Sequence, residues 1–275
     1  LPDGQRFDAS GLLLTPEGGL LTVNDRGASL YRIAFRNGER AADLIRLPGL
    51  FTEAQLAPFS GEKVGRYDCE GIARDERGRL YLCEEANRWV LRCAGPAQRV
   101  ERLAIDWTPV QKHFSRDDRN ASFEGIAVGG GKLYLANERK QARIIVVDLD
   151  PLRVVDDFKV FPRGQGAGDL NYSDLSWFDG ALFVLLRESC VVLKVDPATH
   201  EVVTEYDYRR VENDPEVAYH KQYPTGVMEG LSVDRDHIWL VTDNNGQGRL
   251  KAPKDTRPTL FKCARPDREP DAASQ

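Results

Sequence analysis

The clearest copy of the repeat that decides the fold is DCEGIARDERGRLYLCEE, residues 68–85. It reads as an apolar strand, a turn containing Gly and Asp, and a second strand of alternating large apolar residues. The same pattern occurs in four further segments: SGLLLTPEGGLLTVND (10–25), FEGIAVGGGKLYLANE (123–138), SDLSWFDGALFVLLRE (173–188) and MEGLSVDRDHIWLVTD (228–243). The chain therefore contains five copies of one two-stranded unit.

A third strand follows each unit, and four units continue into a charged fourth strand. The third strands are predicted at SLYRIAF (29–35), WVLRC (89–93), ARIIVVD (142–148), CVVLKVD (190–196) and TLFKC (259–263). Charge in the fourth strands, such as RVERLAID (99–106) and EVVTEYDYRR (201–210), suits a solvated outer edge. Four antiparallel strands repeated at about 50–60 residues are the signature of a β-propeller.

We predict an all-β fold, a single β-propeller of five blades, mostly of four antiparallel strands, around a central channel. A sixth blade has no segment long enough to hold it. The propeller is expected to span residues 1–265, and the charged residues 266–275 are expected to form a mobile tail. The last blade lacks an obvious fourth strand, so residues 1–9 are candidates to close the ring.

Composition excludes several classes of protein. A hydrophobic content of 41% excludes disorder, and no run approaches the roughly 18 apolar residues of a membrane helix. The net charge of −5 argues against a nucleic-acid binder. We also expect the protein to be a monomer. Five cysteines without a CxxC pair exclude zinc-ribbon and thioredoxin-like motifs. No signal peptide is recognisable at Leu1, although a chain whose leader had been removed would look the same.

Acidic residues recur at two positions of the repeat. The first strand of each blade lines the channel of a propeller, and it opens with Ser10, Glu70, Glu124, Asp174 and Glu229. The second strands end at Asp25, Glu85, Glu138, Arg187 and Asp243. Because the two strands are antiparallel, these ends share one face. We therefore expect two stacked rings of acidic residues at one mouth of the channel.

The rings predict a metal site. Converging carboxylates repel one another in a partly buried site unless a cation compensates, and Arg187 can neutralise one neighbour. Hard oxygen ligands favour calcium or magnesium over zinc, and calcium is preferred because it accepts 6–8 oxygens in loose geometry. The predicted ligands are Glu70, Glu124, Asp174, Glu229, Glu85, Glu138, Asp243 and Asp25. The alternative interpretation is that these acids are ordinary solvated residues at strand ends.

Long loops that enter the first strands crown the same face and carry cations. The residues predicted to bind a small anionic substrate, such as a phosphate ester, are Arg66, Arg116, Arg119, Arg187 and Lys221. His113 and His220 lie in crown loops and are the candidate general bases. The alternative is that these charged loop residues are simply solvated.

The EGIA and EGLS openings occur together with CEEANRWVLR (83–92), NERKQARI (137–144) and TDNNG (242–246). With these motifs the chain resembles the phytase-like propeller family, described as esterase-like activity of phytase and related to the SdiA-regulated propellers. The resemblance implies a bacterial, exported protein, periplasmic or extracellular, with a calcium-associated channel and hydrolysis of phosphate or carboxylic esters. Ser10 and Arg187 depart from the pattern, so a complete set of calcium ligands is not expected.

Two classes of function remain open. The first is a metal-dependent hydrolase of an anionic ester, of which a calcium-dependent lactonase is a variant. Such lactonases mix Glu, Asn and Asp ligands, whereas the predicted rings are almost wholly Glu and Asp. The second is a non-enzymatic, calcium-stabilised module that binds a ligand or a protein partner through its crown.

Overall fold

The computed structural model describes residues 6–37, 40–59, 67–118, 120–166, 168, 170–220 and 226–267. Alternating apolar residues form strands in these ranges, and each sheet contains strands in chain order, each antiparallel to the next. Blade 1 contains β1 Ala9–Leu14, β2 Leu20–Asn24, β3 Leu30–Phe35 and β4 Ala42–Arg46. Blade 2 contains β5 Cys69–Arg74, β6 Leu80–Glu84, β7 Trp89–Cys93 and β8 Val100–Arg102.

The remaining blades repeat this plan. Blade 3 contains β9 Phe123–Gly129, β10 Lys132–Asn137, β11 Arg143–Leu149 and β12 Leu152–Phe158. Blade 4 contains β13 Tyr172–Phe178, β14 Ala181–Leu186, β15 Val191–Val195 and β16 Val202–Asp207. Blade 5 contains β17 Met228–Val233, β18 His237–Thr242 and β19 Leu260–Ala264. The loops carry the short helices α1 Glu53–Leu56 and α2 Arg209–Glu212 and the 3-10 turns Ala57–Phe59 and Gln111–His113.

The first strands of successive blades pack around one axis, and β17 contacts β1 to close the ring. The predicted five-bladed propeller is confirmed, with four blades of four strands and a last blade of three among the described residues. Residues 6–9 do not supply a fourth strand to blade 5. Ala9 pairs with Asn24 inside blade 1, and Phe7 packs against Trp239 and Leu12 between blades 5 and 1.

The hydrophobic core lies between adjacent blades, where the faces of two sheets meet. Between blades 3 and 4, Ile144 and Leu193 are fully buried in one cluster, and Trp177 stacks on Tyr134 with ring centroids 5.4 Å apart. Four similar clusters occur at the other junctions. Burial on both faces explains the nearly continuous apolar sequence of the second and third strands, and it fixes the ring that presents the channel mouth.

The first two residues of the predicted tail, residues 266–275, belong to the described part of the chain. Asp267 contacts Lys194 of blade 4 at 3.2 Å, and residues 268–275 lie outside the described residues. No helix among the described residues is long and apolar enough to cross a membrane.

Candidate metal centre

A β-bulge opens the first strand of each blade. In β5, Cys69 pairs with Glu84 and Gly71 with Cys83, so Glu70 is the extra residue. Glu124 and Glu229 are the extra residues at the same point of β9 and β17. A bulge re-aims a side chain relative to the regular pleat. These three carboxylates consequently line the cavity at the channel mouth.

The register corrects the predicted first ring in blade 4. Tyr172 pairs with Leu186 and Asp174 with Leu185, so the bulge residue is Ser173 and not Asp174. The ring therefore consists of Ser10, Glu70, Glu124, Ser173 and Glu229, three carboxylates and two hydroxyls. Asp174 takes the place that Gly71 has in blade 2. The signal was present in the sequence, because the dipeptide Ser173–Asp174 aligns with Ser10–Gly11.

The second ring lies one residue beyond the second strands. Its backbone N–H groups donate to the carbonyls of residues that precede the first strands, as between Glu85 and Asp68 (2.8 Å) and between Glu138 and Ser122 (2.8 Å). Asp25 and Asp243 make the same kind of bond. This repeated bond holds the second ring beside the first, as the sequence predicted.

All residues of the two rings except Ser173 line a single cavity of about 320 Å³. It contains every predicted ring residue except Asp174, and it adds four residues that the sequence analysis missed: Asp68, Asn120, Arg139 and Asn245. Asp68 lies two residues before the bulge at Glu70, and Arg139 directly follows Glu138, so both neighbours of the repeat motif were available as signals.

Positive charge is confined to part of the lining. Eight carboxylates and two guanidinium groups line the cavity. Arg187 bridges blades 3 and 5, because its Nη2 lies 2.6 Å from Glu138 Oε1 and its Nη1 contacts Glu229 Oε1. Arg139 also contacts Glu138. The part of the cavity between Glu138 of blade 3 and Glu229 of blade 5 is thus compensated by internal cations.

Next to blade 1, two arginines pair with Asp8, but the carboxyl groups around it still repel one another. Asp8 is fully buried and accepts a hydrogen bond from Arg26 Nε at 2.6 Å and another from Arg6. Burial, together with the charges of Asp8 and Asp243, raises the pKa of Asp25 to about 7. Burial also raises the pKa of Asp243 to about 6.

At blades 2 and 3 the cavity contains two groups of closely spaced carboxylates. Asp68, Glu70 and Glu85 each offer an oxygen within 4.8 Å of the others, and Glu85, Glu124 and Glu138 form a second such group. Glu85 belongs to both groups and is only 6% exposed, yet no N–H or hydroxyl group of the described residues donates to its Oε1. A buried carboxylate oxygen with no partner is costly, which makes this the position where a cation would be most stabilising.

The pKa values of this side show that Arg139 and Arg187 offset the repulsion between its carboxylates only in part. Burial and the charges of Asp68 and Glu138 raise the pKa of Glu85 to about 8. Burial and the charge of Glu85 raise the pKa of Glu70 well above its usual range, although the Ser10 hydroxyl opposes the rise by donating to it. Burial and the charge of Glu138 likewise raise the pKa of Glu124. Keeping all of these groups ionised requires a positive charge.

Asp174 is directed away from this cavity. It is fully buried, and its carboxyl group accepts hydrogen bonds from the backbone N–H groups of Leu231 (2.7 Å) and Leu175 (2.8 Å). The predicted role of Asp174 in the acidic ring is therefore corrected, because its oxygens face backbone donors at the channel axis.

The histidines are not brought to the cavity. His113 is 7% exposed, its Nε2 lies 3.1 Å from Asp157 Oδ1, and its Nδ1 lies 3.3 Å from Gln141 Oε1. Asp157 belongs to β12, the outermost strand of blade 3. His220 is exposed on a loop, where its backbone N–H donates to the carbonyl of Gly248. Neither imidazole is among the described residues that line the cavity.

The crown cations are only partly described. Arg66, Arg119 and Lys221 lie outside the described residues, and Arg116 is exposed and does not line the cavity. Of the predicted substrate-binding residues, the structure brings Arg187 to the cavity, where Arg139 accompanies it.

Comparisons with known proteins give one family and several structural neighbours. The family model described as Phytase-like, esterase-like activity of phytase, matches residues 7–246. No curated protein matches the sequence. Glutaminyl cyclase of Myxococcus xanthus is 17% identical with a TM-score of 0.56, and the match covers 94% of this chain and 92% of that one. A protein of unknown function from Bacteroides caccae is 11% identical with a TM-score of 0.52, covering 86% and 71%. At such identities the likeness extends to the fold alone.

Proposed function

The chain belongs to the phytase-like family, and from this premise we propose that it binds calcium in the acidic cavity and hydrolyses an anionic ester there. The single observation that carries the proposal is Glu85. Its carboxylate is shared by two groups of closely spaced acids, and in the part of the chain that the structure describes no donor reaches its buried Oε1. A cation held by Asp68, Glu70 and Glu85, with Glu124 and Glu138 beside it, would satisfy that oxygen.

The chemistry of the donors favours calcium. The described lining offers carboxylate, amide and hydroxyl oxygens, with no His or Cys among them. Such donors suit calcium or magnesium, and the uneven spacing of the acids suits calcium, which tolerates irregular coordination better than magnesium does. Asn120 and Asn245 add amide oxygens at the rim.

The family description and the two arginines support an anionic ester as substrate. A bound divalent cation polarises an ester oxygen and lowers the pKa of a coordinated water molecule. Arg139 and Arg187 now share their charge with Glu138. When Glu138 is neutralised from the other side, both guanidinium groups can turn part of their hydrogen-bonding capacity to an anion, and guanidinium binds phosphate or carboxylate oxygens in pairs.

A second candidate is a non-enzymatic, calcium-stabilised binding module. It is favoured by the position of His113 and His220, which leaves the described cavity without an imidazole base. The same cavity would then hold a structural cation, and the rim would bind an anionic ligand without turnover.

The test combines metal analysis with an ester panel. Purified protein is equilibrated in calcium or in EDTA and assayed with a phosphate monoester, a carboxylic ester and a lactone, the last because Asn120 and Asn245 add the amide oxygens that lactonases use. The proposal expects turnover in calcium and none in EDTA. Glu85→Gln should lose the bound calcium, whereas Glu101→Gln, a matched change on the outer strand of the same blade, should keep it.

The outcomes separate the two candidates. Bound calcium without turnover on any ester would replace the hydrolase with the binding module. Failure of the wild-type protein to bind calcium would contradict both.

A further inference from the structure

One blade departs from the others at the channel axis. The residue after the bulge is a glycine in blades 1, 2, 3 and 5, namely Gly11, Gly71, Gly125 and Gly230. In blade 4 it is Asp174. The glycines are required by close packing, because a Cβ built on Gly125 would lie 2.5 Å from the Cα of Asp174. A Cβ on Gly11 would lie 2.7 Å from the backbone nitrogen of Ile72. The inner strands therefore approach too closely for five side chains at this level.

The single side chain that does occupy this level faces backbone N–H groups of several blades. Asp174 Oδ2 accepts the N–H of Leu231 in blade 5 at 2.7 Å, and Oδ1 accepts the N–H of Leu175 in its own blade at 2.8 Å. The N–H groups of Leu12 in blade 1 and Ile126 in blade 3 lie close enough to the same carboxyl group to stabilise its charged form. One carboxyl group is thus hydrogen-bonded to blade 5 and stabilised by backbone N–H groups of blades 1 and 3.

These donors belong to the segments that carry the cavity. Leu12, Ile126 and Leu231 each lie two residues beyond a bulge residue, namely Ser10, Glu124 and Glu229. A single glycine separates each bulge residue from the residue whose N–H faces Asp174. Holding that N–H in place therefore also fixes the direction in which the side chain of the bulge residue points. Both carboxyl oxygens are already used by backbone donors, which explains why Asp174 is absent from the cavity lining.

Burial raises the pKa of Asp174, and the N–H groups of Leu231, Leu175, Leu12 and Ile126 oppose that rise because each stabilises the charged form. In either protonation state the converging groups are donors, so the position requires an acceptor.

We propose that Asp174 is a positioning residue that closes the channel beneath the acidic cavity and holds the bulges of blades 1, 3 and 5 in register, because its carboxyl group attracts the backbone N–H groups that follow them. The channel is consequently a blind cavity that a ligand enters from the acidic mouth. The effect on the cation rests on the proposed function, whereas the closure of the axis does not.

The central variant is Asp174→Gly, which gives blade 4 the residue that the other blades have and leaves a space the size of acetate. Asp174→Asn keeps the shape but turns an Nδ2 donor toward backbone donors. The matched control is Ser176→Ala on the same strand, since Ser176 Oγ accepts one hydrogen bond from the described residues, from the N–H of Val233 at 3.2 Å. Unfolding by denaturant is measured in EDTA, with and without acetate, and calcium affinity is measured on the folded variants.

Loss of one hydrogen bond at about 1 kcal/mol raises the unfolding equilibrium constant about fivefold, which is the expectation for Ser176→Ala. Asp174→Gly leaves several buried N–H groups unsatisfied and should raise it at least 100-fold. Acetate at about 100 times its dissociation constant should lower the unfolding equilibrium constant of Asp174→Gly about 100-fold and leave that of the control unchanged. Calcium affinity should fall about tenfold in Asp174→Gly and Asp174→Asn, stay unchanged in Ser176→Ala, and recover with acetate.

The proposal is overturned if Asp174→Gly has the same unfolding equilibrium constant as the control and acetate does not change it. It is also overturned if the calcium affinity of Asp174→Gly equals that of the wild type. Should neither Asp174 variant fold, hydrogen exchange of the wild-type protein in EDTA decides, because the N–H groups of Leu12, Ile126 and Leu231 should exchange only on global unfolding. Faster exchange through local opening would overturn it. A wild-type protein that binds no calcium would contradict the proposed function alone, since acetate rescue in EDTA tests the axis separately.

Discussion

Replacement of Arg187 by glutamine tests whether the cavity is balanced by internal cations on one side and open to a metal on the other. Arg187 contacts Glu138, which is fully buried, and Glu229, whose side chain is 10% exposed. Gln keeps much of the length of the side chain and removes its charge. The variant therefore leaves two buried carboxylates with less compensation than in the wild type.

The magnitude follows from the burial of both partners. Removing one partner of a buried ion pair costs about 3–5 kcal/mol, and the lower end applies because Glu138 retains Arg139. At about 2–4 °C per kcal/mol, a loss of about 3 kcal/mol lowers the melting temperature in EDTA by about 6–12 °C. Calcium stabilises both proteins, so it narrows the deficit only as far as it binds the variant more tightly. Because the freed carboxylates add to its ligands, we expect about tenfold tighter binding, which narrows the deficit by about 1.4 kcal/mol.

The assay is differential scanning calorimetry of the wild type, Arg187→Gln and Arg116→Gln, each in EDTA and in calcium. Arg116 is exposed and outside the cavity, so its variant should melt within about 0.5 kcal/mol of the wild type in both buffers. The reasoning is refuted if Arg187→Gln behaves like this control in EDTA. It is equally refuted if the deficit of Arg187→Gln is the same in calcium as in EDTA.

Two further predictions concern pH and packing. Because the pKa of Glu85 is raised to about 8 and that of Asp25 to about 7, the folded metal-free protein binds more protons than the unfolded chain. Its melting temperature in EDTA should therefore fall as the pH rises from about 5 to about 8, and calcium should flatten the curve; a rise over this range would contradict the assignment. Gly125→Ala brings a Cβ to 2.5 Å from the Cα of Asp174 and should destabilise the protein by about 3 kcal/mol in denaturant unfolding, whereas Gly166→Ala, where a Cβ meets open space, should cost far less.

Much of the fold could be predicted from the sequence because its signals are local and repeated. A strand, a turn and a second strand recur five times, and each buried face leaves an alternating pattern. The ring residues Glu70 and Glu229 were predictable for the same reason, since each stands before a glycine at the head of an apolar run.

The parts of the site that could not be predicted depend on register and on distant contacts. A bulge shifts the pairing by one residue without changing the apolar pattern, so Ser173 and Asp174 exchanged places in the predicted ring. The contacts of Arg187 with Glu138 and Glu229 join three blades, and no repeating pattern in the sequence predicts such contacts. His113 faces Asp157 of an outer strand, because the loop that carries it packs on blade 3 instead of rising over the mouth.

The most direct test of the central claim is the calcium content of the purified protein, measured by elemental analysis after dialysis against trace calcium, for the wild type and Glu85→Gln. We predict stoichiometric calcium in the wild type, with a higher melting temperature than in EDTA, and loss of both in Glu85→Gln. A wild-type protein that retains no calcium and melts identically in calcium and EDTA would contradict the claim that the acidic cavity is a cation site.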